Sequence, residues 1–246
     1  MITEYFRPLE LAEAVALAAR PDALIVGGGT VATTERGASP RAAVDLQALQ
    51  LSGITSNGGT VVIGAMTTLQ HLAEDDQVPS VLRELARRDA PSSIRNAATI
   101  GGAIGARDPE SEFLTGLLAL GATVTIAYQG STAEHPLDAT IEDVELIRGG
   151  IITEVSLPAG GFTAVDRTAR TPMDRPIVSA VAHRGADGTI RLALSGVARV
   201  PALVDPSQIA ELDPPADFRG SSEYRLHLAA VLSERVLSEV AIGRST

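Results

Sequence analysis

The stretch from residue 23 to residue 30 constrains the fold more than any other. Ala23-Leu24-Ile25-Val26 runs directly into Gly27-Gly28-Gly29-Thr30. Four apolar residues bounded by glycine read as a short buried strand. The glycines after it carry no side-chain bulk, so several neighbouring N–H groups can converge on one anion. A helix after the turn would add the dipole of its N-terminus. The run is neither the dinucleotide fingerprint nor a P-loop, since it lacks the phosphate-binding lysine. An ordinary tight turn is the alternative reading. Upstream, Pro8 suits the first turn of a helix over residues 8–19, with Leu9, Leu11, Ala12, Val15 and Ala19 as its apolar stripe. Downstream, residues 43–46 read as the next strand, which makes a small βαβ-type unit.

A second glycine pair with a hydroxyl before it lies at Thr99-Ile100-Gly101-Gly102. Alone it is equally an ordinary turn. Two such loops on one chain could grip a pyrophosphate from both sides without a lysine. Between and beyond them the pattern is mixed. Asn57-Gly58-Gly59 signals a hairpin from Ile54-Thr55 into residues 60–64. Helices are expected from Thr67 or Thr68 through Leu72, over 79–89 and over 111–119, with strands at 122–128 and 151–157. Residues 90–96 read as a loop. Pro158-Ala159-Gly160-Gly161 marks a boundary. Past it, residues 162–169, 177–184 and 189–198 read as three strands, residues 201–221 as irregular, and residues 222–240 as an amphipathic closing helix.

Composition narrows the function classes. A formal net charge of -10 argues against nucleic acid as a partner. The absence of cysteine excludes disulfides, thiolate nucleophiles and cysteine-held iron–sulfur clusters on this chain. The four histidines, His71, His135, His183 and His227, show no metal-ligand spacing. The early acidic residues and the lack of an apolar run near ~20 residues argue against a signal peptide or a membrane span, so a cytoplasmic chain is expected. Asp75-Asp76 and Glu142-Asp143 read as solvated charges, and His183 as structural.

The segment Arg95-Asn96-Ala97-Ala98-Thr99-Ile100-Gly101-Gly102-Ala103-Ile104 resembles the R-N-x-[AG]-T-I-G-G-N-[IL] signature of FAD-binding subunits in the xanthine dehydrogenase and carbon monoxide dehydrogenase family, the molybdenum hydroxylases. Gly27-Gly28-Gly29-Thr30 resembles the family's first flavin loop. Ile63-Gly64-Ala65-Met66-Thr67-Thr68 is similar to its I-G-A-x-T-T, and Ile152-Thr153-Glu154-Val155 to its L-I-T-E-I strand. Arg170 to Asp174 and Gly220-Ser221-Ser222-Glu223-Tyr224-Arg225 continue the likeness to the C-terminal helix, in the family's order.

The resemblance implies an α+β fold: two FAD-binding subdomains over about 1–52 and 53–157, then a C-terminal domain over 162–246 built on a three-stranded antiparallel sheet with helices. It implies FAD as cofactor. Gly27, Gly28, Gly29 and Thr30 would wrap the pyrophosphate. Thr99, Gly101 and Gly102 would form the opposing loop, and Glu112 would stand where the family has an Asp near the ribityl chain. Arg95 and Asn96 would hold the second loop. The implied partners are a molybdopterin-binding large subunit and a small subunit with two-iron two-sulfur clusters, in a dimer of heterotrimers. The chain would receive electrons from the clusters and pass them to an external acceptor. Val31, where many members have Asp, and Ala103, where they have Asn, support an alternative: a flavin-free structural subunit of such a complex.

Overall fold

The computed structural model describes residues 1–31, 41–171 and 174–243. The helix expected after Thr30 and part of the Arg170–Asp174 motif lie outside the described residues. The first sheet is parallel. Strands β1 (Ile2–Phe6), β2 (Ala23–Val26) and β3 (Arg41–Asp45) lie in the order β1-β3-β2, with helix α1 (Leu11–Ala18) in the first crossover. Strand β3 is central, and its Ala42, Ala43 and Val44 are fully buried. The two strands expected of the βαβ-type unit pair in parallel, and an N-terminal strand extends their sheet. Nothing in the side-chain pattern of Ile2–Phe6 announces that strand, because four of its five residues are exposed.

The second sheet holds β4 (Ile54–Asn57), β5 (Thr60–Gly64), β6 (Thr123–Tyr128), β7 (Ser131–Pro136) and β8 (Ile151–Pro158). Its order is β4-β5-β8-β6-β7, antiparallel throughout. The β4–β5 hairpin turns on Gly58 and Gly59, both at positive φ, as a two-residue turn with the right twist requires. Five helices are inserted between β5 and β6: α2 (Leu69–Glu74), α3 (Ser80–Asp89), α4 (Ser92–Arg95), α5 (Ile100–Ala106) and α6 (Glu112–Ala119). Helix α7 (Leu137–Glu142) follows β7. Thr68, not Thr67, caps α2, while the Thr67 hydroxyl bonds both backbone groups of Gly53. The stretch expected as a loop at 90–96 contains the single turn of α4.

The third sheet contains β9 (Phe162–Thr168), β10 (Val178–Arg184), β11 (Ile190–Ser195) and the two-residue edge strand β12 (Ala202–Leu203), in the order β12-β11-β10-β9. The three antiparallel strands expected there thus gain a short fourth. Helix α8 (Ser222–Ile242) covers one face of this sheet through Leu228, Leu232, Val236 and Val240. On the other side lies α6. All eight residues of α6 are buried, the pattern of a helix enclosed by protein on every side. It packs on α3, where Gly116 comes so close to Leu85 that a Cβ would lie 2.4 Å from its Cδ1. It also packs on β10 and β11, and Val181 and Ala193 share a core with Leu114 and Leu117. No helix among the described residues is long and apolar enough to cross a membrane.

Candidate functional site: a glycine-walled cleft

The two glycine loops, about seventy residues apart in sequence, meet in space. A Cβ on Gly27 would lie 2.8 Å from Thr99 Oγ1, and one on Gly28 would lie 1.6 Å from the carbonyl oxygen of Ala97. The loops approach backbone to backbone, which only glycine permits. Beside them opens a cleft of about 430 Å³. Its lining includes Gly27, Gly28, Gly29, Thr30, Thr99, Gly101 and Gly102, so seven of the eight expected site residues are gathered there. Gly29 takes φ 69°, a conformation that L side chains rarely adopt.

The two loops play different parts. Thr99 is the N-cap of α5, and its Oγ1 accepts from Gly102 N at 3.1 Å. Ile100 N donates to Thr67 O at 3.0 Å, and Gly101 N to Ala65 O at 2.9 Å. The amides at the start of α5 are therefore committed inside the protein. By contrast, the amides of Gly27, Gly28 and Thr30 make no hydrogen bond within the protein among the described residues. Uncommitted donors are thus found on the first loop, and the second supplies shape. Its contribution continues along α5, where Gly105 and Ala106 also line the cleft and a Cβ on Gly105 would meet nothing within 4 Å. Every one of the 20 basic residues of the chain is arginine, and the one charged side chain lining the cleft among the described residues is Arg41. The remaining walls are apolar, with Leu24, Ile25, Met66, Ile147 and Ile152 among them.

Sequence reasoning missed Gly105, Arg41 and the apolar wall from Val144 to Ile152. Gly105 carries a signal that can be read: a third glycine on the helical face set by Gly101 and Gly102. The wall residues come from distant strands and loops and carry none.

Glu112 does not line the cleft. It is 3% exposed in the first turn of α6, with Oε2 3.4 Å from Arg167 Nε on β9 and Oε1 without a hydrogen-bond partner. Burial pushes its carboxyl above the usual carboxylate range, with the Arg167 charge opposing. Asp89 nearby is raised for the same reason, opposed by a 2.7 Å hydrogen bond from Ser111 Oγ. Arg95 ties α4 to its neighbours, donating to Gln70 Oε1 and to the carbonyls of Arg87 and Ala90. His183 is buried against Thr163 Oγ1 at 2.8 Å, and burial lowers its pKa. Ala103, at the position of the family's Asn, packs against the core. Val31 stands at the rim of the cleft, 46% exposed.

The cleft fits a dinucleotide-type cofactor on two counts: unspent backbone donors on one loop, and a side-chain-free helical face opposite. Comparison with known proteins identifies the family. Residues 1–160 match the family model described as the FAD binding domain in molybdopterin dehydrogenase. The chain is 31% identical over 251 residues to the protein YgfM of Escherichia coli (strain K12), with 94% of each chain covered. It is 28% identical over 275 residues to the carbon monoxide dehydrogenase medium chain of Hydrogenophaga pseudoflava, with 96% of each covered. A solved structure of carbon monoxide dehydrogenase from that organism superposes with a TM-score of 0.87 at 27% identity, covering 97% of both chains. The chain belongs to the family of FAD-binding domains of molybdopterin dehydrogenases, as a flavoprotein subunit of the oxidoreductase class whose cofactor is FAD.

Proposed function

We propose that this chain is the electron-transfer subunit of a molybdenum hydroxylase complex, standing between an iron–sulfur subunit and an external acceptor. One observation carries the site assignment: the amides of residues 27, 28 and 30, without a hydrogen bond among the described residues, and the glycines of α5 line the same cleft. Gly27, Gly28, Gly29 and Thr30 would hold the pyrophosphate through backbone N–H groups. Thr99, Gly101 and Gly102 would shape the opposing wall, and Arg41 would supply the positive charge that no lysine provides. When bound, FAD supplies a carrier that accepts and returns electrons. The chain's own part is to bind, orient and shield it.

Partners follow from what the chain lacks. With no cysteine it offers no thiolate ligands for an iron–sulfur cluster, and on this reading an external donor, the iron–sulfur subunit, supplies the electrons. The relatives named as medium chains support a hetero-oligomer. On this reading its other members are a molybdopterin-binding large subunit and a two-iron two-sulfur small subunit. On this reading residues 1–157 form the FAD-binding region, with subdomains meeting near residue 52, and residues 162–246 form a domain that packs against it through α6.

The competing reading, a flavin-free structural subunit, draws on Glu112. That side chain is engaged by Arg167 and lies off the cleft. Purifying the complex from its source, denaturing it and quantifying released flavin separates the two. FAD near one per copy of this chain is the expected result, and a complex that is complete but flavin-free supports the competitor.

A further inference from the structure

The turn between α5 and α6, Arg107-Asp108-Pro109-Glu110-Ser111, is tied to the C-terminal region by a closed circuit of hydrogen bonds. Gly196 N donates to Pro109 O at 2.8 Å. Gly196 O accepts from Arg225 Nη1 at 3.0 Å, and Arg225 Nη2 pairs with Asp217 Oδ2 at 2.9 Å. Asp217 Oδ2 also accepts from Arg219 Nη2 at 3.0 Å. Arg219 then closes the circuit by forking onto Glu110, with Nη1 2.9 Å from Oε2 and Nη2 on Oε1. Arg225 is 2% exposed, and the side chains of Arg219 and Glu110 are 15% and 17% exposed. Water screens this circuit poorly, and its planar fork has a fixed geometry. Two flanking pairs, Asp108–Arg175 in the turn and Glu112–Arg167 at the start of α6, stand two residues to either side of Glu110.

This turn begins where the cleft wall ends. Gly101, Gly102, Gly105 and Ala106 of α5 line the cleft. The next residue, Arg107, is left-handed at φ 52°, the one non-glycine residue so placed among the described residues. Its guanidinium donates to Glu142 O at 3.2 Å on the far side. The end of α5 is thus fixed from two directions, and the C-terminal region supplies the stronger hold. We infer that Glu110 and Arg219 are positioning residues for the flavin cleft: their fork holds α5 at the spacing from the first glycine loop that the cofactor needs. The inference rests on the cleft being the FAD site.

The test is a fluorimetric FAD titration of the chain with Glu110→Gln, Arg219→Gln and the double variant, joined to amide hydrogen exchange. Each single variant should weaken FAD binding about tenfold, the scale of one lost charge-assisted hydrogen bond. The double variant should lose no more than either single, as partners in one contact do. Arg219→Lys, which keeps the charge, should recover part of the loss. Amides of residues 102–106 should exchange faster in both single variants. Arg235→Gln breaks the exposed 3.1 Å pair to Asp166, far from the turn in sequence, and should leave FAD affinity unchanged. Single variants that bind FAD like the parent, or losses that multiply in the double variant, would overturn the inference. If the parent chain itself binds no FAD, the functional reading fails. The exchange data still judge the fork: faster exchange at 102–106 supports it, and unchanged exchange overturns it.

Discussion

Two glycines in the cleft answer to different constraints. At Gly28 a Cβ would meet the Ala97 carbonyl at 1.6 Å, so a side chain there collides with protein before it reaches any cofactor. Gly28→Ala should push the two loops apart and lower the melting temperature as well as flavin content. Gly105 faces open space in a helical conformation, so Gly105→Leu should fill the cleft and leave the fold intact. Measuring flavin content and thermal unfolding on both variants distinguishes them: loss of both for Gly28→Ala, loss of flavin alone for Gly105→Leu. The glycine triplet was legible in the sequence. What each glycine is for was not, because that depends on a loop seventy residues away. Glu112 is instructive in the same way. Its identity as a site candidate came from alignment with a family pattern, and its burial against Arg167 comes from the packing of α6 under the third sheet. Glu112 and Asp89 both hold their protons more tightly folded than unfolded. Their contribution to stability is therefore fully present below the ordinary carboxylate range and is lost as pH rises through their raised values. Glu112→Gln should flatten that decline in a series of denaturant melts across pH. A profile identical to the parent's would contradict it.

At the scale of elements, helix α5 shows how tertiary contacts override local preference. Its sequence, Ile100-Gly101-Gly102-Ala103-Ile104-Gly105-Ala106, contains three glycines. Each glycine costs roughly 1 kcal/mol relative to alanine in a helix. The segment reads as a turn in sequence, yet it is helical, held by the Thr99 cap, by Gly101 N on Ala65 O and by burial of Ile100 and Ile104. Removing the cap with Thr99→Val should destabilise the chain by about 1 kcal/mol and weaken flavin binding with it. Chemical denaturation with and without FAD checks this, and a flavin affinity unchanged by the substitution would separate the cap from the site. Strands β1 and β7 escaped sequence reading for another reason. Both are edge strands whose side chains are largely exposed, so they are held by backbone pairing to β3 and β6 and need no apolar alternation. The buried strands β8, β10 and β11 and the closing helix, whose apolar residues face a core, were legible.

At the scale of the whole molecule, the cleft is built by residues 23–31, 41–46, 65–66, 99–106 and 144–152 and stabilised from the C-terminal side through α6 and the Glu110–Arg219 fork. On the proposed reading the chain works only in company. Native mass spectrometry of the protein from its source should find it with two other subunits, across interfaces of roughly 2,000 Å² or more if the assembly is permanent. A lone monomer active by itself would contradict this. The central claim is more direct: FAD sits between the first glycine loop and α5. An FAD titration of the parent chain beside Gly105→Leu tests it. The account predicts saturation at one FAD per parent chain and no saturable binding to a Gly105→Leu chain that melts like the parent. Equal binding by both, or none by the parent, would contradict it.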